Sequence, residues 1–186
     1  MLTAEDSLPE RPRRVLVAGV SGSGKTTLAR RLSDLLGCPY VELDALFHGA
    51  GWVRRPGFED DVDAFSAGER WVCEWQYNSV RDRLAQRADL LVWLDLPFPL
   101  VLSRVVRRTV SRRVRREVLW NGNREPPLYT FVTDREHVIR WAIRTRHLLA
   151  ERVPVAAAEN PDLTVVRLRS PRQVDHWVRT AVEPLA

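Results

Sequence analysis

Short apolar runs alternate with segments of helical apolar spacing along this chain of 186 residues. Runs rich in branched and aromatic residues are typical of buried strands, whereas Leu or Val recurring every three or four residues indicates helices. The predicted strands are residues 15–18, 40–44, 70–75, 90–95 and 163–168. The predicted helices are residues 26–36, about 59–66, about 78–88, a long one after 97, 133 to about 152, and a last one from 171.

Capping and breaking residues support several of these boundaries. Gly37 is suited to end the first helix, and Asn78 or Ser79 can cap the helix that follows the third strand. The segment 133–136 (Thr-Asp-Arg-Glu) is a capping box, and Ser170 followed by Pro171 combines a cap with proline at the first helical position. Strands that alternate with helices predict a parallel sheet covered on both faces, which is a three-layer α/β/α fold with five parallel strands.

The domain organisation is simple. Residues 1–13 are polar and contain Pro9 and Pro12, so we expect a disordered N-terminal lead, followed by a single domain over residues 14–186. The composition, with 45% hydrophobic and 28% charged residues, is typical of soluble globular proteins. The sequence lacks a membrane-spanning run and a signal peptide, so we expect a cytoplasmic protein that does not bind membranes. Cys38 and Cys73 lack metal-site spacing and are expected to be reduced core thiols.

A glycine-rich motif lies between the first strand and the first helix. Residues 19–26 read Gly-Val-Ser-Gly-Ser-Gly-Lys-Thr, a complete Walker A pattern in the strand–loop–helix context that the motif requires. Its backbone amides and the helix N-terminus would cradle phosphates, with Lys25 on the β- and γ-phosphates and the Thr26 hydroxyl on Mg²⁺. The predicted nucleotide-binding residues are Gly19, Ser21, Gly22, Ser23, Gly24, Lys25, Thr26 and Thr27, and the predicted cofactors are ATP and Mg²⁺.

Lys25 is the only lysine among 29 basic residues, and the other 28 are arginines. The sequence therefore uses arginine wherever either residue would serve. The exception falls at the Walker position, where a compact ammonium fits among phosphate oxygens and a planar guanidinium does not. This usage strengthens the prediction of a phosphate-binding loop.

Three predicted strands end in a carboxylate that could serve phosphoryl transfer. Glu74, at the end of the third strand, is the predicted partner of Thr26 in the magnesium site. Asp44, at the end of the second, is expected to face the phosphate-accepting substrate or the metal. Asp95, at the end of the fourth, is interpreted as structural.

Seven arginines and no acid lie in residues 104–116, namely Arg104, Arg107, Arg108, Arg112, Arg113, Arg115 and Arg116. Such a high density of positive charge is unfavourable unless anions are present. Some of these side chains are therefore expected to clamp the transferred phosphoryl group. Turn residues follow at 120–127, and residues 109–132 are interpreted as an arginine-rich lid. Binding to a nucleic-acid backbone is the rival interpretation of the same run.

Aromatic and basic residues also lie between the second and third strands, within residues 45–70. They are Phe47, His48, Trp52, Arg54, Arg55 and Phe58. This group could stack a base and hold an acidic group of the acceptor, although aromatics at such spacing are more often core residues. We interpret residues 45–70 as an acceptor-binding insertion.

With these residues in place, the chain resembles the nucleoside-monophosphate-kinase-like branch of P-loop proteins over most of residues 14–180. Leu94-Asp95-Leu96-Pro97 followed by Arg104 and Arg107-Arg108 is similar to the adenylate kinase stretch in which arginines contact the nucleotide phosphates. The resemblance is closer to small bacterial adenylate-kinase-related proteins of the FlaR (DNA topology modulation protein) type. It rests on residues 43–47 with Trp52, residues 71–77, and Arg87-Ala88-Asp89.

This sequence differs from the motifs of these relatives in two features. The Asp-Gly that follows the third strand in FlaR-type proteins is Glu74-Trp75 here, and the Asp-Gly-Phe-Pro-Arg signature of adenylate kinases is absent. The resemblance therefore implies a fold and a reaction type, with Arg104 and Arg108 at the matching positions, but no particular acceptor.

The sequence predicts an ATP- and Mg²⁺-dependent phosphotransferase that acts on a nucleoside monophosphate or another small molecule, as a monomer or homodimer. The predicted catalytic residues are Lys25, Arg104, Arg108, Glu74 and Asp44. Two other functions fit the same residues. One is a nucleotide-dependent regulator that binds nucleic acid through residues 104–116, and the other is a simple NTP hydrolase.

Overall fold

Five parallel strands form the central sheet of the protein. The computed structural model describes residues 1–115, 120–123, 143–144 and 147–186. The strands are β1 (Arg14–Gly19), β2 (Tyr40–Val41), β3 (Trp71–Glu74), β4 (Leu90–Leu94) and β5 (Thr164–Leu168). They lie in the order β2-β3-β1-β4-β5, and every neighbouring pair is parallel. The predicted five-stranded parallel sheet is confirmed.

Helices connect the strands and cover both faces of the sheet. They are α1 (Lys25–Leu36), α2 (Leu43–Phe47), α3 (Phe58–Ser66), α4 (Asn78–Arg87), α5 (Phe98–Val114), α6 (Leu148–Glu159) and α7 (Pro171–Trp177). Gly37 ends α1 in the left-handed conformation, and the Ser170 hydroxyl caps α7 by accepting a hydrogen bond from the Gln173 amide at 3.2 Å. Among the described helices, none is long and apolar enough to cross a membrane.

The core consists of two apolar clusters separated by the sheet. Val15 and Val17 of β1 face one cluster, whereas Leu16 and Ala18 face the other, as the alternation of a strand requires. The first cluster includes α1, α7 and the C-terminal turns, and the second includes α3, α4 and α6. The protein therefore has the predicted three layers. Cys38 and Cys73 are buried free thiols, as expected.

The second predicted strand is shorter than expected. Pairing stops at Val41, and Asp44 lies in the first turn of α2 instead of at a strand end. β2 is an edge strand bonded only to β3, so little holds its end in the sheet. Leu43, Leu46 and Phe47 have helical spacing, and the helix buries Leu43 completely.

The predicted start of α4 is also corrected. Tyr77, with a positive φ of 63°, occupies the N-cap position, and no side chain caps the helix. Asn78 Oδ1 instead accepts hydrogen bonds from Arg81 Nη1 at 2.8 Å and Arg152 Nη1 at 2.9 Å. The polar side chain expected to cap the helix therefore bonds to arginines.

The N-terminal lead is ordered rather than disordered. The Leu2 amide donates to the Val165 carbonyl at 2.7 Å, and the Leu2 carbonyl accepts from the Arg167 amide at 2.9 Å. Ala4 and Leu8 are buried in the core. Burial of these apolar residues and pairing with β5 explain why a mostly polar segment is held in place.

The helix predicted from residue 133 begins outside the described residues, so its capping box is not tested. Its predicted end near Arg152 is wrong, because α6 continues to Glu159 with Pro154 inside it. Val153 and Ala156 pack into the core on one face, which favours the helix despite the amide that proline lacks.

Candidate functional site

The glycine-rich loop connects β1 to α1 at the carboxyl end of the sheet. The Ser23 amide closes a turn by donating to the Val20 carbonyl at 3.0 Å. Gly24 occupies the N-cap of α1, and no side chain caps this end. The first-turn amides of a helix have no partner within the helix, so here they are available to an anion.

Gly22 and Gly24 both have a positive φ, of 84° and 93°. A Cβ on Gly22 would lie 2.5 Å from Cγ2 of Val105 and 2.8 Å from the carbonyl of Val101, so the loop packs tightly against α5. A Cβ on Gly24 would lie 4.0 Å from Nη1 of Arg104. The predicted clamp residue Arg104 is therefore beside the loop.

The charged residues predicted for catalysis interact electrostatically around Lys25. Burial lowers the pKa of Lys25, and the positive charge of Arg108 lowers it further, whereas the charges of Asp44 and Glu74 raise it. The fold thus brings Lys25, Asp44, Glu74, Arg104 and Arg108 to one end of the sheet. Of the other loop side chains, that of Ser23 is buried and that of Thr27 is exposed.

Glu74 lies at the end of β3, beside Val17 of β1. Its Oε1 atom accepts hydrogen bonds from the Thr26 hydroxyl and the Tyr40 hydroxyl, both at 2.8 Å. The side chain is 1% exposed, and Oε2 is buried without a partner among the described residues. Burial raises the pKa of Glu74, and the charge of Lys25 partly offsets this.

The residues predicted for the metal have the chemistry that Mg²⁺ requires. Mg²⁺ prefers oxygen ligands and keeps several waters, with one or two carboxylates and substrate phosphates completing its shell. The unpartnered oxygen of Glu74 and the hydroxyl of Thr26 are ligands of this kind. Within the described part of the chain, no group of three or more His, Cys, Asp or Glu side chains could hold a metal. The donor set therefore fits an ion that is bound jointly with a phosphate-bearing ligand.

Asp44 is oriented by two neighbours that the sequence did not identify. Its Oδ1 atom accepts from the Tyr77 hydroxyl at 2.5 Å and from Gln76 Nε2 at 2.7 Å. Both donors bond to the same oxygen, and among the described residues none donates to Oδ2. Gln76 and Tyr77 lie two and three residues after the end of β3, so their place after a strand was the available signal. Tyr40, which bonds to Glu74, was missed as well.

A series of ring contacts extends from Tyr77, which bonds to Asp44, and forms what we call the aromatic wall: Phe47, His48, Trp52, Tyr77 and Trp120. The rings of Phe47 and Tyr77 stack with centroids 4.0 Å apart, and the His48 ring lies 5.1 Å from that of Trp52 and 6.3 Å from that of Trp120. Burial lowers the pKa of His48.

Residues 120–123 are bonded to the insertion. Asn123 Oδ1 accepts from the Trp52 amide at 3.1 Å, and Asn123 Nδ2 donates to the Gly49 carbonyl at 2.9 Å. Asn121 Nδ2 donates to the His48 carbonyl. These bonds hold the segment that carries Trp120 beside His48. The rest of the predicted lid, from 116 to 119 and beyond 123, lies outside the described residues.

Two residues of the wall have strained backbones. Trp52 and Tyr77 both have a φ of 63°, in the region that favours glycine. Such conformations cost about 1–3 kcal/mol each and tend to cluster at functional sites. The backbone strain and the ring contacts thus coincide at the same residues.

Three other predicted residues adjoin the wall: the Phe58 ring lies 5.0 Å from that of Phe47, Arg54 Cζ lies 5.8 Å from the Phe47 ring centroid, and the Arg55 amide donates to the Phe47 carbonyl at 2.9 Å. Phe58 is fully buried and belongs to the core. Arg54 pairs with Glu59, and Arg55 pairs with Asp61 at 3.0 Å. Separately, Asp95 accepts hydrogen bonds from Arg167 Nε at 2.9 Å and Nη2 at 2.6 Å.

The arginines of residues 104–116 differ in position and exposure along α5. Arg104 and Arg108 lie one turn apart on the side that contacts the loop, whereas Arg107 and Arg115 are exposed. Arg112 is half-buried. The side chain of Arg113 and the whole of Arg116 lie outside what the structure describes.

Solved structures with the same architecture are small-molecule kinases. The shikimate kinase of Acinetobacter baumannii, solved with shikimate, matches 91% of this chain and 91% of its own, with a TM-score of 0.52 and 17% identity. A gluconokinase from Sinorhizobium meliloti 1021 matches 92% of this chain and 95% of its own, with a TM-score of 0.52 and 19% identity. At these identities the likeness shows the fold alone, an α/β fold that this chain shares with the two kinases.

Curated relatives match a shorter stretch. HslU of Geobacillus sp. (strain WCH70), an ATP-dependent protease ATPase subunit, is 38% identical over 79 residues, and HslU of Geobacillus kaustophilus (strain HTA426) is 37% identical over 79 residues. The match spans 42% of this chain and 17% of the length of each relative. No protein-family model matches the chain.

Proposed function

We propose that this protein is an ATP- and Mg²⁺-dependent phosphotransferase that acts on a small hydroxyl-bearing acceptor. The observation that carries the proposal is the pair of carboxylates near Lys25. Glu74 accepts a hydrogen bond from the Thr26 hydroxyl. Asp44 accepts hydrogen bonds from Tyr77 and Gln76 through Oδ1, which leaves Oδ2 for the acceptor. Two carboxylates with different partners fit two separate tasks, metal binding and proton removal. The kinase fold of the neighbouring structures supports this assignment.

The loop would hold the donor. Amides of the loop and of the first turn of α1 would bind the phosphate oxygens, and Lys25 would neutralise the β- and γ-phosphates. Thr26 and Glu74 would hold Mg²⁺, which when bound offsets the charge of the phosphates. The Tyr40 hydroxyl would keep Glu74 in place.

Asp44 would act as the general base through Oδ2. The acceptor hydroxyl gives its proton to Oδ2 as its oxygen forms a bond to the γ-phosphorus. The bond between that phosphorus and the bridging oxygen breaks, and its electron pair leaves with ADP. Arg104 and Arg108 would stabilise the charge on the transferred group. Most of the rate would come from positioning and electrostatics, as in other phosphoryl transfers.

A coupled assay of ADP release tests the proposal. We expect release to depend on one class among nucleoside monophosphates, nucleosides and small hydroxy-metabolites. The Lys25→Ala variant should lose this activity by about 10²–10³-fold, because it removes a cation that stabilises the transition state. Unchanged turnover by Lys25→Ala with every acceptor would show that the loop is not catalytic.

Nucleic-acid binding remains the second candidate because Arg107 and Arg115 are exposed on α5. It predicts DNA or RNA binding that weakens steeply with salt and is reduced by neutralising those two arginines. A simple hydrolase instead predicts ADP release that no acceptor changes. The same protein preparation can be used for all three assays.

A further inference from the structure

We infer that the acceptor is an uncharged hydroxyl compound with an apolar face or ring, bound between Asp44 and the aromatic wall, rather than a nucleoside monophosphate or another anion. The inference rests on the proposed function. It adds the substrate class, which neither the Walker motif nor the resemblance supplies.

The charge of the insertion opposes an anionic acceptor. Residues 45–66 contain four carboxylates and two arginines. Both arginines face acids of α3, since Arg54 pairs with Glu59 and Arg55 with Asp61. Exposed ion pairs of this kind contribute little to stability, but they leave residues 45–66 without an excess of positive charge. A phosphate monoester placed here would be repelled by Asp44 as well.

The aromatic wall adds no charge at neutral pH. Burial lowers the pKa of His48 from its ordinary value, which favours the uncharged ring. The other four rings are Phe, Tyr and Trp, and burial and the charge of Asp44 raise the pKa of Tyr77. Trp52 is 38% exposed as a residue, and its ring contacts those of His48 and Trp120.

Asp44 supplies the polar end of the site. With Tyr77 and Gln76 bonded to Oδ1, the atom left for the acceptor is a carboxylate oxygen, which can only accept a hydrogen bond when ionised. A hydroxyl group is the matching donor. The reaction is the one written above, in which the hydroxyl proton passes to Oδ2 and the γ-phosphoryl group of ATP passes to the hydroxyl oxygen.

Pairs of compounds that keep the same hydroxyl groups but differ in charge test the inference. ADP release would be measured with gluconate and with shikimate, each paired with its uncharged primary amide, and also with several nucleosides and with nucleoside 5′-monophosphates, which carry phosphate in place of the 5′-hydroxyl. We expect uncharged members to stimulate release at least about tenfold more than their anionic partners. Asp44→Asn should abolish the stimulation.

Two variants give a second readout. Trp52→Leu should raise the KM of the stimulating acceptor about tenfold, the effect expected for loss of an aromatic contact. Arg54→Gln combined with Arg55→Gln should leave that KM unchanged, as should the control Arg83→Gln, whose ion pair with Asp63 joins α4 to α3.

The outcomes separate this inference from the proposed function. Stronger stimulation by the anionic members, or a large rise in KM in the Arg54/Arg55 variant alone, would overturn the inference and leave the kinase intact. ADP release that no compound stimulates would contradict both. Stimulation by uncharged members that depends on Asp44 and Trp52 would support both.

Discussion

The two halves of the proposed site differ in which parts of the protein form them. The proposed donor half is one continuous loop, residues 19–27, in which backbone amides and two left-handed glycines would form the binding surface. The proposed acceptor half consists of side chains from separate segments: Asp44 and the insertion, Gln76 and Tyr77 after β3, and Trp120–Asn123 after α5. The donor half therefore depends on main-chain shape, whereas the acceptor half depends on how individual side chains are oriented.

The largest effect that should separate the two halves is that of Asp44→Asn. The amide has the same shape and still accepts the hydrogen bonds of Tyr77 and Gln76, but it cannot take a proton. We expect acceptor-dependent turnover to fall by about 10²–10⁴-fold, the usual contribution of a general base. ATP affinity, measured by calorimetry, should stay near the wild-type value. A parallel loss of ATP binding would mean that Asp44 belongs to the donor half.

Two tyrosines offer a matched comparison. Tyr77→Phe removes a hydrogen bond to Asp44, and Tyr40→Phe removes one to Glu74. Each should reduce activity about tenfold, as expected for a hydrogen bond to a charged group, but in different parameters. Tyr77→Phe should lower kcat at saturating Mg²⁺, and Tyr40→Phe should raise the Mg²⁺ concentration required. If both variants changed the same parameter, the division into two halves would be wrong.

Gly22→Ala tests the dependence of the donor half on main-chain shape. The new Cβ would be strained by a φ of 84° and would lie 2.5 Å from Val105 Cγ2. We expect the free energy of unfolding to fall by about 1–3 kcal/mol in urea titrations without nucleotide. Gly57→Ala is the control, since no atom lies within 4 Å of its Cβ position and its φ is negative. Gly22→Ala combined with Val105→Ala should cost less than the sum of the two single variants, because the contact with Val105 Cγ2 is then absent. Equal stability of the Gly22→Ala and Gly57→Ala variants would show that the loop does not depend on the main-chain shape at Gly22.

The smallest expected effect is a pH dependence in the acceptor half. Burial holds the pKa of His48 below its ordinary value of 6.5 in the folded protein. As the pH falls through 6.5, the unfolded chain takes up a proton that the folded protein resists, so stability is lost. Wild type should therefore lose stability relative to His48→Gln between about pH 8 and about pH 5. Parallel curves for the two proteins would show that His48 is not perturbed.

The same contrast explains what the sequence could predict. The order of strands and helices follows from local apolar spacing, and the phosphate-binding loop follows from a contiguous motif. Gly22 and Lys25 have their roles because of their immediate neighbours in the chain. For that reason the predictions for the fold needed no knowledge of distant contacts.

The acceptor half could not be predicted in the same way. The strand expected to end at Asp44 stops at Val41, because an edge strand yields to the helical spacing of the residues that follow. The bond from Tyr77 to Asp44 joins residues that are 33 positions apart. The Asn123–Trp52 bond joins residues that are 71 positions apart. No local pattern encodes contacts of this kind.

The central claim is that the Walker loop and Asp44 together transfer phosphate to a small acceptor. The most direct measurement uses ATP labelled in the γ-phosphate and follows the label at saturating concentration of the most stimulating acceptor. We expect most of the label to appear in a phosphorylated acceptor, and we expect Asp44→Asn to prevent this transfer. Label found only in inorganic phosphate, at the same rate with and without acceptor, would contradict it.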